Sequence, residues 1–234
     1  MNGMQKTIAG LCLAVGVGVG SAFAAAVPVV EETQFVPGSP HELINRTAKE
    51  LIAVIEAGKT YFDTDPDRFY AEIQRVLDPV VDFESFARGV MAVYFKRATP
   101  AQRTRFNETF KSGLVRTYGK ALLDFGDQKI DVLPPDRPPR QPDRDSVTME
   151  VRSSDGKIYP VVYSMAQDSA GAWRMRNIII NGINIGLTYR NQFASAMKTP
   201  QNRGNLDAVI DGWSATIADV DPIKDGDGAK ASEN

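Results

Sequence analysis

Catalytic chains usually show themselves in histidines, cysteines and clustered carboxylates, and this one offers few. Its 234 residues contain one histidine, His41, and one cysteine, Cys12. That leaves no Cys/His zinc set, and a Ser-His triad would have to recruit its histidine from the N-terminal edge of the fold. Cys12 lies within an apolar run, and Leu11 is too large for the position before a lipidated cysteine, so Cys12 reads as part of a discarded segment. His41 follows Ser39-Pro40 at a helix start and reads as a first-turn surface residue. Asp225-Gly226-Asp227-Gly228 opens like a calcium loop, but Ala229 and Lys230 follow where ligands and the glycine turn are needed, and no glutamate closes it. Hydrolase and metalloenzyme classes are thereby weakened, and the expected cofactor and metal content is none.

What remains is architecture, organised around Asp145 to Arg190. Val147, Met149 and Val151 alternate with Thr148, Glu150 and Arg152, the period-two pattern of a strand with one buried face. Asp155-Gly156 marks a hairpin turn. The return strand carries Tyr159, Val161, Tyr163 and Met165 on one face and Ile158, Pro160, Val162 and Ser164 on the other, a pattern that predicts cover on both sides. A second turn at Asp168 to Gly171 leads into a strand from Trp173 to Ile183, with Trp173, Met175 and Ile179 opposing Arg174, Arg176, Ile178 and Ile180. Lys129 to Leu133 is a further short strand, and Pro134 to Pro142 an extended surface loop.

Helices flank this meander. Ser39-Pro40 with Glu42 predicts a capping box and a helix ending at Gly58. Asp65-Pro66 starts a second, with Phe69, Ile73, Val76 and Leu77 as its apolar stripe, and Asp82 caps a third. Gly89 inside that third helix costs ~1 kcal/mol relative to alanine and predicts close approach of another backbone. Thr99-Pro100 opens the longest helix, to about Asp124, with Phe106, Phe110, Leu114, Tyr118 and Leu122 along one face. Ile185 to Met197 and Leu206 to Ile217 complete the set, the first turning Tyr189 and Phe193 inward.

The ends read as processing and tail. Lys6, the apolar run Ile8 to Val19 and Ala22-Phe23-Ala24 predict a secretory signal over residues 1–24, hence export. Residues 25–39 are a flexible lead, 40–218 one domain, and 219–234 a disordered tail. A net charge of −2 argues against nucleic acid, and a mature chain free of cysteine must be held by packing alone.

A resemblance rests on an ordered set of short motifs. Phe69-Tyr70, Val76-Leu77 with Asp82-Phe83, Ala98-Thr99-Pro100-Ala101-Gln102 with Phe106 and Phe110, Trp173-Arg174, Asn181-Gly182-Ile183 and Tyr189-Arg190-Asn191-Gln192-Phe193 together resemble the MlaC family of phospholipid-binding, toluene-tolerance auxiliary proteins. The match runs from about Pro40 to Trp213. Two departures are visible: Asn177 stands where the family more often shows aspartate, and Asn184 where it often shows serine.

The resemblance implies an α+β fold, helices packed on a curved antiparallel sheet, an NTF2- or cystatin-like meander, enclosing an apolar lipid cavity. It implies a monomeric periplasmic carrier that moves phospholipid between an outer-membrane lipoprotein complex (MlaA-like) and an inner-membrane ABC transporter with an MlaD-like component, maintaining lipid asymmetry without catalysis. Acyl carbon carries ~0.8 kcal/mol per CH₂, on the order of 20 kcal/mol for two chains, which requires depth rather than a shallow groove. The expected lipid-binding set is Met91, Tyr94, Phe106, Phe110, Leu114 and Tyr118 on helices, with Val147, Met149, Val161, Tyr163 and Ile179 on the sheet. Arg97, Arg174 and Arg176 are expected at the mouth or as partner-docking charges. Two alternatives of other classes stay open: an acid/base enzyme on the same scaffold, and a structural periplasmic adaptor whose aromatic stripes are plain core.

Overall fold

The computed structural model describes residues 35–123, 128–139, 141–153 and 155–218. The expected signal segment, residues 25–34 of the lead and the expected tail lie outside the described residues.

Three helix starts use one device. Ser39, Asp65 and Thr99 each accept a hydrogen bond from the backbone N–H three residues on, and each precedes proline at the first helical position. The side-chain oxygen satisfies an end donor, and proline occupies a position whose N–H would be unpaired anyway. The helices so opened are α1 (Pro40–Gly58), α2 (Pro66–Leu77) and α4 (Pro100–Leu122). Asp82 caps α3 (Phe83–Met91) through the Ser85 N–H, at 2.9 Å. The reciprocal half of a capping box closes at Thr99, whose N–H donates to Gln102. At Ser39 it does not: the Glu42 carboxylate accepts from the Gly38 N–H instead.

The sheet is a pure meander. Strands β1 (Lys129–Val132), β2 (Arg144–Arg152), β3 (Ile158–Gln167), β4 (Trp173–Ile180) and β5 (Ile183–Asn184) pair antiparallel in chain order. Val147 lies opposite Tyr163 and Met149 opposite Val161, so the alternating apolar sets of β2 and β3 share one face. Helices α1, α3 and α5 (Ile185–Ala196) contact the sheet, and α6 (Leu206–Ala218) packs on α4 and α5.

Five further expectations need correction. The fourth strand ends at Ile180, because Asn181 (φ 50°) and Gly182 (φ 84°) take left-handed conformations and reverse the chain into β5. Alternation in β4 also breaks: Ser164 pairs with Asn177 but Met165 with Met175, leaving Arg176 as an extra residue, a β-bulge. Met175 therefore shares the inner face with Ile178 and Ile180, and Ile179 goes to the opposite face beside Val162. Nor is β3 covered on both sides, since none of Ile158, Pro160, Val162 and Ser164 is buried.

His41 is the fourth, being 4 % exposed rather than a surface residue. It stacks on Phe35 at 6.0 Å and lies 3.9 Å from the Asp145 carboxylate, where the foot of α1 meets the start of β2. Gly89 is the fifth, because it is exposed and a Cβ there would meet nothing within 4 Å. The close approach is at Gly58 instead, where a Cβ would stand 2.3 Å from the buried Phe69 ring.

Two glycines thus predict opposite signs. Gly89→Ala should stabilise by ~1 kcal/mol through helix propensity. Gly58→Ala should destabilise by ~1–3 kcal/mol, because the Phe69 ring must leave its site. Urea unfolding of the two variants checks both.

His41 predicts a pH dependence. Burial lowers its pKa from the ordinary 6.5, and Asp145 opposes that only in part; a helix first turn also disfavours cations. The unfolded chain then takes up a proton near 6.5 that the folded chain resists. This contribution to stability is therefore complete above that value and declines as the pH falls through it towards the folded pKa. Thermal unfolding at about pH 7.5 and about pH 5.5 should show a fall in Tm that is shallower in His41→Gln.

Candidate functional site

The expected site residues fall into two packed groups with a seam between them. On the sheet, Val147, Met149 and Val161 belong to a buried cluster with Met165 and Met175. On the helices, Met91, Phe106 and Phe110 belong to another, with Tyr189, Phe193 and Trp213. Leu114, Ile178 and Ile180 pack against both clusters and remain partly accessible.

The helical cluster is held ring against ring. Phe106 meets Phe193 at 5.1 Å, Trp213 at 5.4 Å and Phe110 at 5.7 Å, while Phe110 meets Phe86 at 5.2 Å and Tyr189 at 5.7 Å. The Phe106–Phe110 pair is stacked and the others meet edge to face, and contacts of both kinds add ~0.5–1.5 kcal/mol each beyond area burial. Phe106 and Phe110 are wholly inaccessible. Tyr94 is half-buried against Phe193.

One helical turn further along α4 the character changes. Leu114 and Tyr118 are partly accessible, and the Tyr118 hydroxyl lies 2.7 Å from that of the fully buried Tyr189. Burial, then the neighbouring Tyr118, holds the Tyr189 phenol far above its ordinary range. Tyr163, on the inner face of β3, combines two properties: its side chain is partly accessible, yet burial alone pushes its phenol well up. Its hydroxyl donates to the Met149 sulfur at 3.6 Å. These phenols stay protonated at neutral pH and offer hydrogen bonds rather than acid/base chemistry.

Reasoning from sequence missed the inward Ile178 and Ile180, because the bulge that turns them in leaves no trace in alternation. It also missed the tyrosine pair, although a phenol at both Tyr118 and Tyr189 on inward helical positions was a usable signal. Two open pockets lie elsewhere. One, of about 430 Å³, opens between the first half of α1, the end of α2 and Trp173, and the other, of about 310 Å³, between Phe62 and the last turns of α4. Neither is lined by any of the eleven expected lipid contacts.

The three arginines differ. Arg97 is exposed just before α4. Arg174 donates to the Asp168 carboxylate at 3.1 Å and to the Pro79 carbonyl, fastening the β3–β4 turn to the end of α2. The Ala172 N–H and then Arg174 hold the Asp168 carboxyl below its usual range. Arg176, the bulged residue, faces the Asp82 carboxylate at 3.4 Å and donates to the Gln167 carbonyl.

The two asparagine departures are partners. The Asn177 amide N–H donates to the Asn184 side-chain oxygen at 3.0 Å, and Asn177 in turn accepts from the Gly186 N–H at 3.0 Å. Asn184 also caps α5 by accepting from the Leu187 N–H. Among the described residues no group of three or more His, Cys, Asp or Glu is placed to hold a metal, and no helix is long and apolar enough to cross a membrane.

Comparison with known proteins gives concordant matches. Toluene tolerance protein ttg2D of Pseudomonas putida is 40% identical over 181 residues, spanning 77% of this chain and 82% of that protein. The intermembrane phospholipid transport system binding protein MlaC of Haemophilus influenzae is 28% identical over 104 residues, covering 44% of this chain and 49% of its own. A solved structure of a phospholipid-binding protein from Ralstonia solanacearum, in complex with a phospholipid, superposes with a TM-score of 0.66 at 23% identity, over 76% of this chain and 98% of that one. That last likeness concerns the fold. The model of the MlaC protein family matches residues 45–215, and the chain belongs to that family.

Proposed function

We infer that the chain is a periplasmic phospholipid carrier, with residues 1–24 as its export signal and 40–218 as its lipid-binding domain. Acyl chains lie along the seam between the sheet and helical clusters. The observation that carries this reading is the line of partly accessible apolar side chains, Leu114, Tyr118, Tyr163, Ile178 and Ile180, running between two packed clusters. A core without a guest would close over residues of this kind, since protein interiors pack to near-crystalline density. Support comes from the relatives, one of them named for intermembrane phospholipid transport, and from a fold neighbour that holds a phospholipid.

In this reading the carrier exchanges lipid with an outer-membrane lipoprotein complex and with an inner-membrane ABC transporter, and performs no chemistry. Transfer out of a bilayer replaces one apolar environment with another, so it is close to neutral, and direction belongs to the partners. The headgroup stays at the mouth in water. Arg97 is the docking charge best placed for a partner, since Arg174 and Arg176 are engaged in holding turns and bulge together.

Native mass spectrometry of the purified protein should show bound phospholipid. Leu114→Trp, which fills the seam, should lower copurified lipid with little loss of Tm. Phe106→Ala, in the sealed helical cluster, should destabilise by ~3–5 kcal/mol. Protein that never carries lipid, or a Leu114→Trp variant that unfolds as readily as Phe106→Ala, would overturn the reading.

Arg97→Glu should leave bound lipid intact and slow exchange with partner complexes, more so at low salt, where exposed charges act over a longer range. An emptied Arg97→Glu protein would show that the protein grips the phosphate itself.

A further inference from the structure

The central strand β3 turns two tyrosines, Tyr159 and Tyr163, to the inner face, and on the apolar stretch around Tyr163 that hydroxyl has a poor partner. Val147, Met149 and Val161 surround Tyr163 in the β2–β3 ladder, and Ile178 lies opposite it on β4. Among the described residues its hydroxyl reaches only a thioether, the Met149 sulfur at 3.6 Å. A thioether is a weak acceptor, and a phenol removed from water loses the hydrogen bonds that water supplied. The side chain is nonetheless partly accessible, so a molecule in the seam can reach it.

A hydrocarbon chain has no use for a hydroxyl there, but one part of a lipid does. From this geometry we propose that Tyr163 forms a polar subsite for the ester carbonyl of a diacyl lipid, donating a hydrogen bond to the carbonyl oxygen in place of the Met149 sulfur. A carbonyl oxygen is a stronger acceptor than a thioether, and it is the strongest acceptor that an acyl lipid carries next to its chains. A free fatty acid would present a carboxylate to the same hydroxyl. Its charge would then lie on a face to which the arginines of β2 and β4 do not turn, since Arg144 and Arg152 alternate with Val147, Met149 and Val151, and Arg174 and Arg176 face Asp168 and Asp82, and the desolvation cost disfavours it. The subsite therefore selects esterified glycerolipid over both free acid and ether lipid, and it fixes how far the chains enter.

This proposal rests on the carrier reading, and its test separates the two. Delipidated protein is offered equal amounts of a diacyl phosphatidylglycerol and its dialkyl ether analogue, which share headgroup and chain length. Native mass spectrometry then reads the ratio of the two bound species. The wild-type protein should favour the ester about five-fold, the worth of one hydrogen bond to a neutral acceptor. Tyr163→Phe should bring the ratio close to one, whereas Met149→Leu, which removes the competing sulfur and keeps the hydroxyl, should hold or raise it. In a parallel competition, palmitate should not displace the diacyl lipid. A wild-type ratio near one, or a preference that survives Tyr163→Phe, overturns the subsite and leaves the carrier reading standing. Palmitate displacing the diacyl lipid in a Tyr163-dependent manner would assign the hydroxyl to free acid instead. Failure of both phosphatidylglycerol analogues to bind overturns both.

Discussion

One extra residue in β4 sets the geometry on which the rest depends. With strict alternation from Met175, the strand would turn Asn177 and Ile179 inward and put Ile178 and Ile180 in water. The bulge at Arg176 reverses this, so both isoleucines join the inner face and Asn177 points to the junction with α5. The same locality ties down α3. Met175 accepts from the Asp82 N–H at 2.9 Å and donates to the Val80 carbonyl at 2.7 Å, while the Asp82 carboxylate, which caps α3, faces Arg176. The starts of α3 and α5 are therefore fixed to the sheet at one place. From there both helices run into the aromatic cluster.

The aromatic stripe of α4 is not of one kind along its length. Phe106 and Phe110 are committed to other rings, so the helical side stands as a body in its own right. Leu114 and Tyr118, one and two turns on, are not closed over. A rigid body on one side and a sheet pinned to it at one end leave Leu114, Tyr118, Ile178 and Ile180 partly accessible between them. In the proposed carrier, a guest there meets walls already held in position by contacts that do not involve it.

Much of this architecture was legible in the residues. Ser39-Pro40, Asp65-Pro66 and Thr99-Pro100 state their helix starts outright, because a capping oxygen followed by a ring without an N–H suits few other places. Val147, Met149 and Val151 give their strand and its buried face by alternation. The bulge was not legible: Arg174, Arg176 and Asn177 are all polar, so an inserted residue among them disturbs no apolar pattern. His41 misled for a related reason, since helix position predicts exposure only until something packs on it, and Phe35 and the start of β2 do. For the candidate site, spacing supplied the inward residues of α4 and β2 but not those of β4, and it could not say which of them fill the space and which leave it open. That distinction is set by Phe193 and Trp213, far away in sequence.

The amide pair at the junction of β4 and α5 has a consequence for how the molecule meets acid. An aspartate at position 177 would bring a formal charge to a partly buried hydrogen-bonded corner, whereas Asn177 and Asn184 carry nothing to titrate. Between pH 5 and pH 8 the one side chain whose ordinary pKa falls in range is His41. It sits at the foot of α1 beside Asp145, away from the junction that sets the isoleucines of the seam. Mild acidification therefore loosens the first helix before it touches the corner that shapes the interior, and the molecule has a defined weak end and a chemically indifferent one.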